Sequence, residues 1–403
     1  MCEELSRARG VRWLLGLLLL LAVPGAGHAQ TEDLSTWISL PAEARRGWKV
    51  EASAERIRIS PDSPADSATQ TREVLVLLTV AQSSLNWILE GMLPVFRDRH
   101  FRVELTLYKL DKSHEEHERM LALADSGQFD LIIAMGSDAT RFLYNRFGNQ
   151  PTPVVALSKD PELWLGFEEG ASQQARPANM AFVSLSISPD VQLHYLQELL
   201  GPLKVMTVVY DRLNQSTVEV EAEAMRRLAA RDGFLLLELA VDGKPTAGKI
   251  LAEQMPRMAR AMRQIDPGAR HSLFWLTTSS AAYDELEHID RLSDNIPVLG
   301  SVREVVREGD ASAVMSIGVP FKSAGQLSAL YVLDILNARL PASRLPMGVI
   351  SPPDLAIHFR RARQLDLKIP FQFLELASSV YDSHGELVRQ EGQAVQTHSD
   401  PRR

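Results

Sequence analysis

Short apolar runs alternate along this chain with longer stretches whose apolar residues recur at helical spacing. Near-continuous apolar runs, as at residues 73–80 (EVLVLLTV) and 129–135 (FDLIIAM), indicate strands that are buried on both faces of a sheet. Further strands are predicted at residues 103–108, 153–157, 203–210, 234–241, 273–276 and 296–299. Helices are predicted between them, at residues 85–99, 115–125, 138–147, 189–200, 218–231 and 281–292.

This repeated strand–helix order is typical of parallel sheets that carry helices on both faces. Because two such sets follow each other, we expect an α/β fold of two doubly wound parallel-sheet lobes. Ligands of such sheets bind beyond the carboxyl ends of the strands, where helix N-termini offer unpaired N–H groups. The loops predicted there are rich in hydroxyl groups, glycines and amides, and their Ser and Thr residues also suit ordinary helix caps. They comprise residues 79–84, 136–140, 158–161, 184–188, 211–217, 277–280 and 301–304.

The first 29 residues have the layout of a secretory signal peptide. Three arginines precede a leucine-rich run at residues 13–23, and small residues then lead to Ala29. The run is shorter than the roughly 20 residues of a membrane span, although an uncleaved anchor is the alternative. We therefore predict cleavage after Ala29 and a periplasmic protein.

Two further segments lack the alternating pattern. Residues 30–72 are interpreted as an N-terminal extension and linker, whose deletion would leave folding nearly unchanged. Residues 377–403 are polar for the most part and are predicted to form a disordered tail.

The amino-acid composition and the motifs limit the range of possible functions. The single cysteine, Cys2, lies in the predicted signal peptide, so disulfides cannot stabilise the exported chain. The formal net charge is -8, which argues against nucleic acids and anionic membranes as partners. No nucleophile motif or carboxylate pair is evident, so we expect no catalytic residues and no enzyme. His114 and His117 have a spacing that suits a metal but lack a third ligand, so no metal or other cofactor is expected.

Several stretches together resemble a known family. They are residues 130–139 (DLIIAMGSDA), 183–189, 192–200 (QLHYLQELL), 205–210, 296–301 (IPVLGS) and 361–370 (RARQLDLKIP). Their order and spacing are similar to those of ABC-type periplasmic substrate-binding proteins with the type I periplasmic binding protein fold, in the tryptophan/tyrosine-type group.

The resemblance implies two lobes joined by a three-crossing hinge, with crossings near Val183, Leu299 and Met347. Lobe 1 would comprise residues 73–183 and 299–347, and lobe 2 residues 184–298 and 348–376. A monomer would close over a small-molecule solute and deliver it to an ABC permease in the inner membrane. The alternative is a periplasmic sensing subunit that signals to a membrane kinase or cyclase.

The ligand contacts that the resemblance implies lie in the loops described above. They are Gln82, Ser83, Gly136, Ser137, Ala139, Ser158, Ser186, Tyr210, Asn214, Thr278 and Ser301. Arg303 joins them because it follows the same returning strand and its guanidinium suits a carboxylate, unless it points to solvent beside Glu304 and Arg307. Ser279-Ser280-Ala281 stands where many relatives have Asp-Asn-Thr, which removes groups that suit an ammonium. We therefore expect an anionic or neutral solute.

Overall fold

The computed structural model describes residues 37–63, 70–79, 83–111, 113–167 and 176–395. The predicted signal peptide, Gln82 and the last residues of the predicted tail lie outside this range, as does the side chain of Ser83.

The described strands form two sheets. The first has the spatial order β1-β2-β4-β3-β5-β6-β7, and its core from β4 to β7 is parallel. Its strands are β1 (Trp48–Ala52), β2 (Arg56–Pro61), β3 (Arg72–Leu78), β4 (Val103–Lys109), β5 (Leu131–Met135), β6 (Val154–Ser158) and β7 (Met180–Ser184).

The second sheet also has a parallel core, and it ends in an extension with both antiparallel and parallel pairing. Its spatial order is β16-β15-β14-β13-β12-β11-β10-β8-β9, with parallel pairing from β9 to β12. Its strands are β8 (Val205–Asp211), β9 (Leu235–Val241), β10 (Ser272–Leu276), β11 (Val298–Gly300), β12 (Met315–Gly318), β13 (Asp354–His358), β14 (Ala377–Tyr381), β15 (Leu387–Gln390) and β16 (Gln393–Ala394).

Helices cover both faces of each sheet. They are α1 (Ala42–Arg45), α2 (Ser83–Asp98), α3 (His114–Ala124), α4 (Ser137–Phe147), α5 (Pro161–Leu165), α6 (Pro189–Leu200), α7 (Gln215–Thr217), α8 (Glu223–Asp232), α9 (Lys244–Ile265), α10 (Ser280–Tyr283), α11 (Leu286–Leu292), α12 (Phe321–Leu336), α13 (Phe359–Gln364) and α14 (Phe371–Leu376). A π-helical turn (Val218–Ala222) separates α7 from α8, and short 3-10 helices occupy Arg303–Val305 and Ala342–Arg344.

Side chains of the central strands alternate between two hydrophobic cores on opposite faces. In β3, Val74 and Val76 pack into one core, while Leu75 and Leu77 pack into the other. In β8, Met206 and Val209 likewise belong to different cores. Because both faces are buried, these strands have the continuous apolar sequences on which their prediction rested. The expected two-lobed α/β fold is therefore confirmed.

We call the first sheet with its helices lobe 1 and the second sheet with its helices lobe 2. The chain passes from lobe 1 to lobe 2 between β7 and α6, returns between β12 and α12, and leaves again between Ala342–Arg344 and β13. The first and third crossings touch, because the Ser184 amide donates to the carbonyl oxygen of Gly348 at 2.7 Å.

Three boundaries differ from those expected from the sequence. The strand that ends at Gly300 pairs with β10 and β12 of lobe 2, so the chain returns to lobe 1 at Val319–Pro320 rather than near Leu299. Residues 377–394 of the predicted tail form β14 to β16 of lobe 2. Residues 48–61 of the predicted extension form β1 and β2 of lobe 1.

The return to lobe 1 depends on close packing between α2 and α12. A Cβ atom on Gly91 would lie 1.9 Å from the carbonyl oxygen of Lys322, and one on Gly325 would lie 2.0 Å from that of Ile88. The two helix backbones therefore approach each other at positions that accept glycine alone.

The N-terminal segment is part of the lobe 1 core. Trp37, Trp48, Ile57 and Ile59 are all buried there, and β2 pairs in antiparallel fashion with β4. Removal of this segment would expose apolar surface and an edge of the sheet, so it would not be neutral to folding.

We predict that Ile59→Ala lowers the free energy of unfolding by about 2–5 kcal/mol, because Ile59 is fully buried and its truncation leaves a cavity. Urea unfolding of the full chain measures this change. Val349→Ala is the control, since Val349 is 65% exposed and should change stability by less than about 0.5 kcal/mol. Equal, small effects of the two substitutions would show that the segment is not part of the core.

Candidate functional site: the cleft between the lobes

A buried carboxylate lies at the centre of the interface between the lobes. Glu221, in the π-helical turn of lobe 2, is 6% exposed. Its Oε2 accepts from the backbone N–H of Thr278 at 2.9 Å, and its Oε1 accepts from the Thr278 hydroxyl group. The Ser301 hydroxyl lies 3.3 Å from Oε2 and 3.1 Å from the carbonyl oxygen of Leu276. Lobe 2 thus holds this carboxylate with groups from the carboxyl ends of β10 and β11.

A cation from lobe 1 completes the environment of Glu221. Lys159, which directly follows β6, places its Nζ 3.1 Å from Oε1 of Glu221 and donates to the Thr217 hydroxyl at 2.8 Å. The two side chains of this ion pair are 16% and 7% exposed. Buried pairs are stable where further hydrogen bonds satisfy both ions, and Thr278 and Thr217 supply those bonds.

A second ion pair crosses between the lobes on the same π-helical turn. Arg141 of α4 donates to Glu219 at 2.8 Å and to the carbonyl oxygen of Trp164 at 2.6 Å. Its guanidinium carbon lies 3.2 Å from the centre of the Trp164 ring, a cation–π contact. The indole N–H of Trp164 in turn donates to the carbonyl oxygen of Ser137 at 2.8 Å. Lobe 1 therefore forms ion pairs with both acidic residues of the turn.

Two further contacts join the lobes near α2 and α12. Lys322, in the first turn of α12, pairs with Glu90 of lobe 1 and with Glu391 beside the last strands of lobe 2. The guanidinium carbon of Arg303 lies 4.8 Å from the centre of the Trp87 ring in α2. Cationic side chains thus bind the lobes together on both sides of the cleft.

Closure leaves almost no free space at the centre. The enclosed cavity measures about 10 Å³, which is at most the room of one water molecule. The crossing segments line it with Leu185, Ile187 and Val319, and lobe 2 contributes Glu221, Thr278 and Ser301. Only a separation of the lobes makes room in this region for a molecule larger than water.

A larger groove of about 600 Å³ opens beside the cleft, lined by Trp87 of lobe 1 and by Lys244, Tyr283, Arg303 and Tyr381 of lobe 2. Burial raises the pKa of Tyr283, and the nearby charge of Glu304 raises it further. Burial also raises the pKa of Tyr381. Both phenols are neutral at physiological pH, and Asp284 and Glu304 also line the groove, so it offers aromatic surface together with charges of both signs.

A family model described as "ABC transporter substrate binding protein" matches residues 73–381, which is most of the chain. The chain belongs to this family of ABC transporter substrate-binding proteins. The family is a non-catalytic class of extracytoplasmic binding proteins. Its match spans both lobes described above.

Solved structures share the fold. A conserved domain protein from Vibrio cholerae has a TM-score of 0.60 at 19% identity, over 77% of this chain and 100% of that one. The ABC domain in complex with L-Trp from "Streptococcus pneumonia" has a TM-score of 0.60 at 16% identity, with the same two coverages. CD0873, a substrate-binding protein from Clostridium difficile in a ligand-free, open structure, has a TM-score of 0.56 at 16% identity, over 74% and 96%.

No curated protein matches the chain. In the described part of this substrate-binding protein, no helix has both the length and the apolar character needed to cross a membrane.

The described lobe 1 residues predicted from the sequence lie at the carboxyl ends of β5 and β6 and in the first turn of α4. Gly136 directly precedes α4 and has a φ of 103°, a conformation that favours glycine. The Ser137 hydroxyl accepts from the backbone N–H of Lys159 at 3.2 Å. It lies 3.4 Å from the hydroxyl group of Ser158. These two serines therefore position Lys159. Ala139 is fully buried in the core, where its contribution is packing.

The predicted residues of lobe 2 and the crossing have different surroundings. Thr278 and Ser301 contact Glu221, and Ser186 lines the central cavity while accepting from the backbone N–H of Asp160 at 2.8 Å. The Asn214 side chain caps α7 by accepting from the Thr217 amide at 3.2 Å. Tyr210 donates its hydroxyl hydrogen to Glu238 of β9 at 3.0 Å, so this hydroxyl group is used within lobe 2.

Sequence reasoning missed the central ion pair of this substrate-binding protein. Glu219 and Glu221 are two residues apart in a predicted helix, so they lie on different faces of it. One of these faces packs against the protein, and an acidic residue there requires a partner. Lys159 lies in the predicted cleft loop at residues 158–161 and is a cation that could pair with such a carboxylate. The sequence feature that indicated this ion pair was therefore an acidic residue on the inner side of the helix that follows a cleft loop.

We predict that Thr278→Val lowers the free energy of unfolding by about 1.5–3 kcal/mol, because the buried Glu221 carboxylate loses a hydrogen-bond donor. Thermal and urea unfolding measure the change. Thr246→Val is the control: the exposed Thr246 hydroxyl donates to the neutral carbonyl oxygen of Asp242, and its loss should cost less than about 1 kcal/mol. Equal losses in the two variants would contradict a buried, charge-assisted contact at Thr278.

Proposed function

We propose that this chain is the solute-binding component of an ABC importer, exported by residues 1–29, and that it closes its two lobes as a monomer over a small organic molecule. The observation that carries the proposal is the Lys159–Glu221 contact. It joins one lobe to the other at the carboxyl ends of parallel strands, where ligands of such sheets bind. A solute that separates these side chains would lie between both lobes.

The three crossings support a closing motion. Two of them are short segments between elements of different lobes, at residues 185–188 and 319–320, and the third covers residues 345–353. Rotation about a few such residues is the usual route by which two-lobed proteins close around ligands. In the closed form, residues of both lobes together form a surface that a membrane permease would recognise.

We predict that native mass spectrometry of the protein from a periplasmic extract detects one small molecule per chain, which is lost on denaturation. After refolding, the protein should regain the same mass increment from a small-molecule extract of the cells. Failure to bind any small molecule before or after refolding would contradict solute binding.

The partner is tested separately by cross-linking in cells followed by affinity purification of the full chain. Recovery of a permease with its ATPase is the expected result. Recovery of a membrane kinase or cyclase instead would show that the bound solute is sensed rather than imported.

A further inference from the structure

The two ions at the centre of the cleft differ in how they are held. Thr278 and Ser301, which contact the Glu221 carboxylate, belong to the same lobe as Glu221. Lys159 contacts Thr217 and Glu221, and both of these residues belong to the opposite lobe. Glu221 is therefore a fixed group of lobe 2, whereas Lys159 reaches it from outside.

Opening the cleft consequently affects the two side chains differently. Separation of the lobes removes both of the Lys159 contacts at once, and the long lysine side chain is then hydrated in the widened cleft. Glu221 keeps its bonds to Thr278 but loses its cation. A carboxylate that is re-enclosed without a compensating positive charge carries a large desolvation cost.

The walls of the central cavity provide no substitute for that cation. Apart from Glu221, the described residues that line it are uncharged, and they include Gln192, Phe321 and the aliphatic side chains of the crossings. The lining of the central cavity thus has one fixed negative charge, that of Glu221, and the ammonium of Lys159 now lies against it. A solute that takes the place of the Lys159 ammonium must therefore supply the positive charge itself.

We propose that the solute carries a cationic group, an ammonium or a guanidinium, which binds Glu221 in the place of the Lys159 ammonium. This inference rests on the proposed function and replaces the anionic or neutral solute expected from the sequence. Arg303, on which that expectation depended, lies against Trp87 at the outer groove. Glu221 then determines specificity, and Lys159 closes the empty cleft in competition with the solute.

Chemical rescue of Lys159→Ala tests the inference without knowledge of the natural solute. The substitution removes three methylene groups and the ammonium, which n-propylammonium matches in length and charge. In the full chain, propylammonium chloride should raise the melting temperature of the variant in a saturable manner, since ligand that binds the folded state stabilises it. Sodium chloride at equal ionic strength, 1-propanol and sodium propionate should not.

The matched control is the double variant Lys159→Ala/Glu221→Gln, in which the charge at the site is removed with little change of shape. Its apparent affinity for propylammonium should be about 10- to 100-fold weaker, the usual effect of one hydrogen bond to a charged group. Equal responses of the single and double variants, no response of the single variant, or equal rescue by 1-propanol would each overturn the proposal.

If Lys159→Ala does not fold, Lys159→Met retains the apolar stem and is titrated with ammonium chloride against sodium chloride. A stabilisation specific to ammonium, absent from Lys159→Met/Glu221→Gln, is then the expected result, and its absence overturns the proposal. The cationic group and the proposed function are tested separately. A co-purified solute without a cationic group would refute a cationic ligand of Glu221 but would leave solute binding intact.

Discussion

The buried pair of Lys159 and Glu221 is the interaction on which the closed arrangement of this protein depends. One charge comes from the carboxyl end of β6 and the other from the π-helical turn after α7, so each lobe contributes half. The buried Glu221 and the partly buried Lys159 are tolerated because Thr278 and Thr217 supply hydrogen bonds to them. The π-helical turn also directs Glu219 to Arg141, so that a single turn of lobe 2 makes two contacts with lobe 1.

The rest of the architecture brings these two groups together and allows them to separate. The close contact between α2 and α12 fixes the returning chain to lobe 1, and β13 leads it back into lobe 2. Ser137 and Ser158 position the backbone at Lys159, while β10 and β11 present Thr278 and Ser301. Hydroxyl groups that sequence reasoning placed against a solute therefore hold the side chains that meet at the centre of the closed cleft.

The central sheets were predictable because their strands are buried on both faces and have continuous apolar sequences. The 22-residue helix α9 was not predicted, since Pro245, Gly248 and Pro256 interrupt its pattern; Pro245 is accommodated in the first turn, where an N–H group is not needed. The strands β1 (WKVEA) and β2 (RIRISP) alternate between apolar and polar residues, a pattern typical of half-exposed strands, but both are short and were interpreted as part of a linker. The loops of the cleft were predictable from topology, but the pairing of Glu221 with Lys159 depends on the relative position of two lobes, which no local pattern contains.

The most direct test of this account is the distance between the lobes in solute-free protein. The chain has no cysteine after Cys2, so Glu115→Cys in α3 and Glu253→Cys in α9, both exposed, allow one spin label on each lobe. Pulsed electron paramagnetic resonance should give a narrow distance distribution with Lys159 present and a second, displaced population in Lys159→Met. Arg146→Met, which removes a surface ion pair within lobe 1, should leave the distribution unchanged. Identical distributions with and without Lys159 would contradict the account.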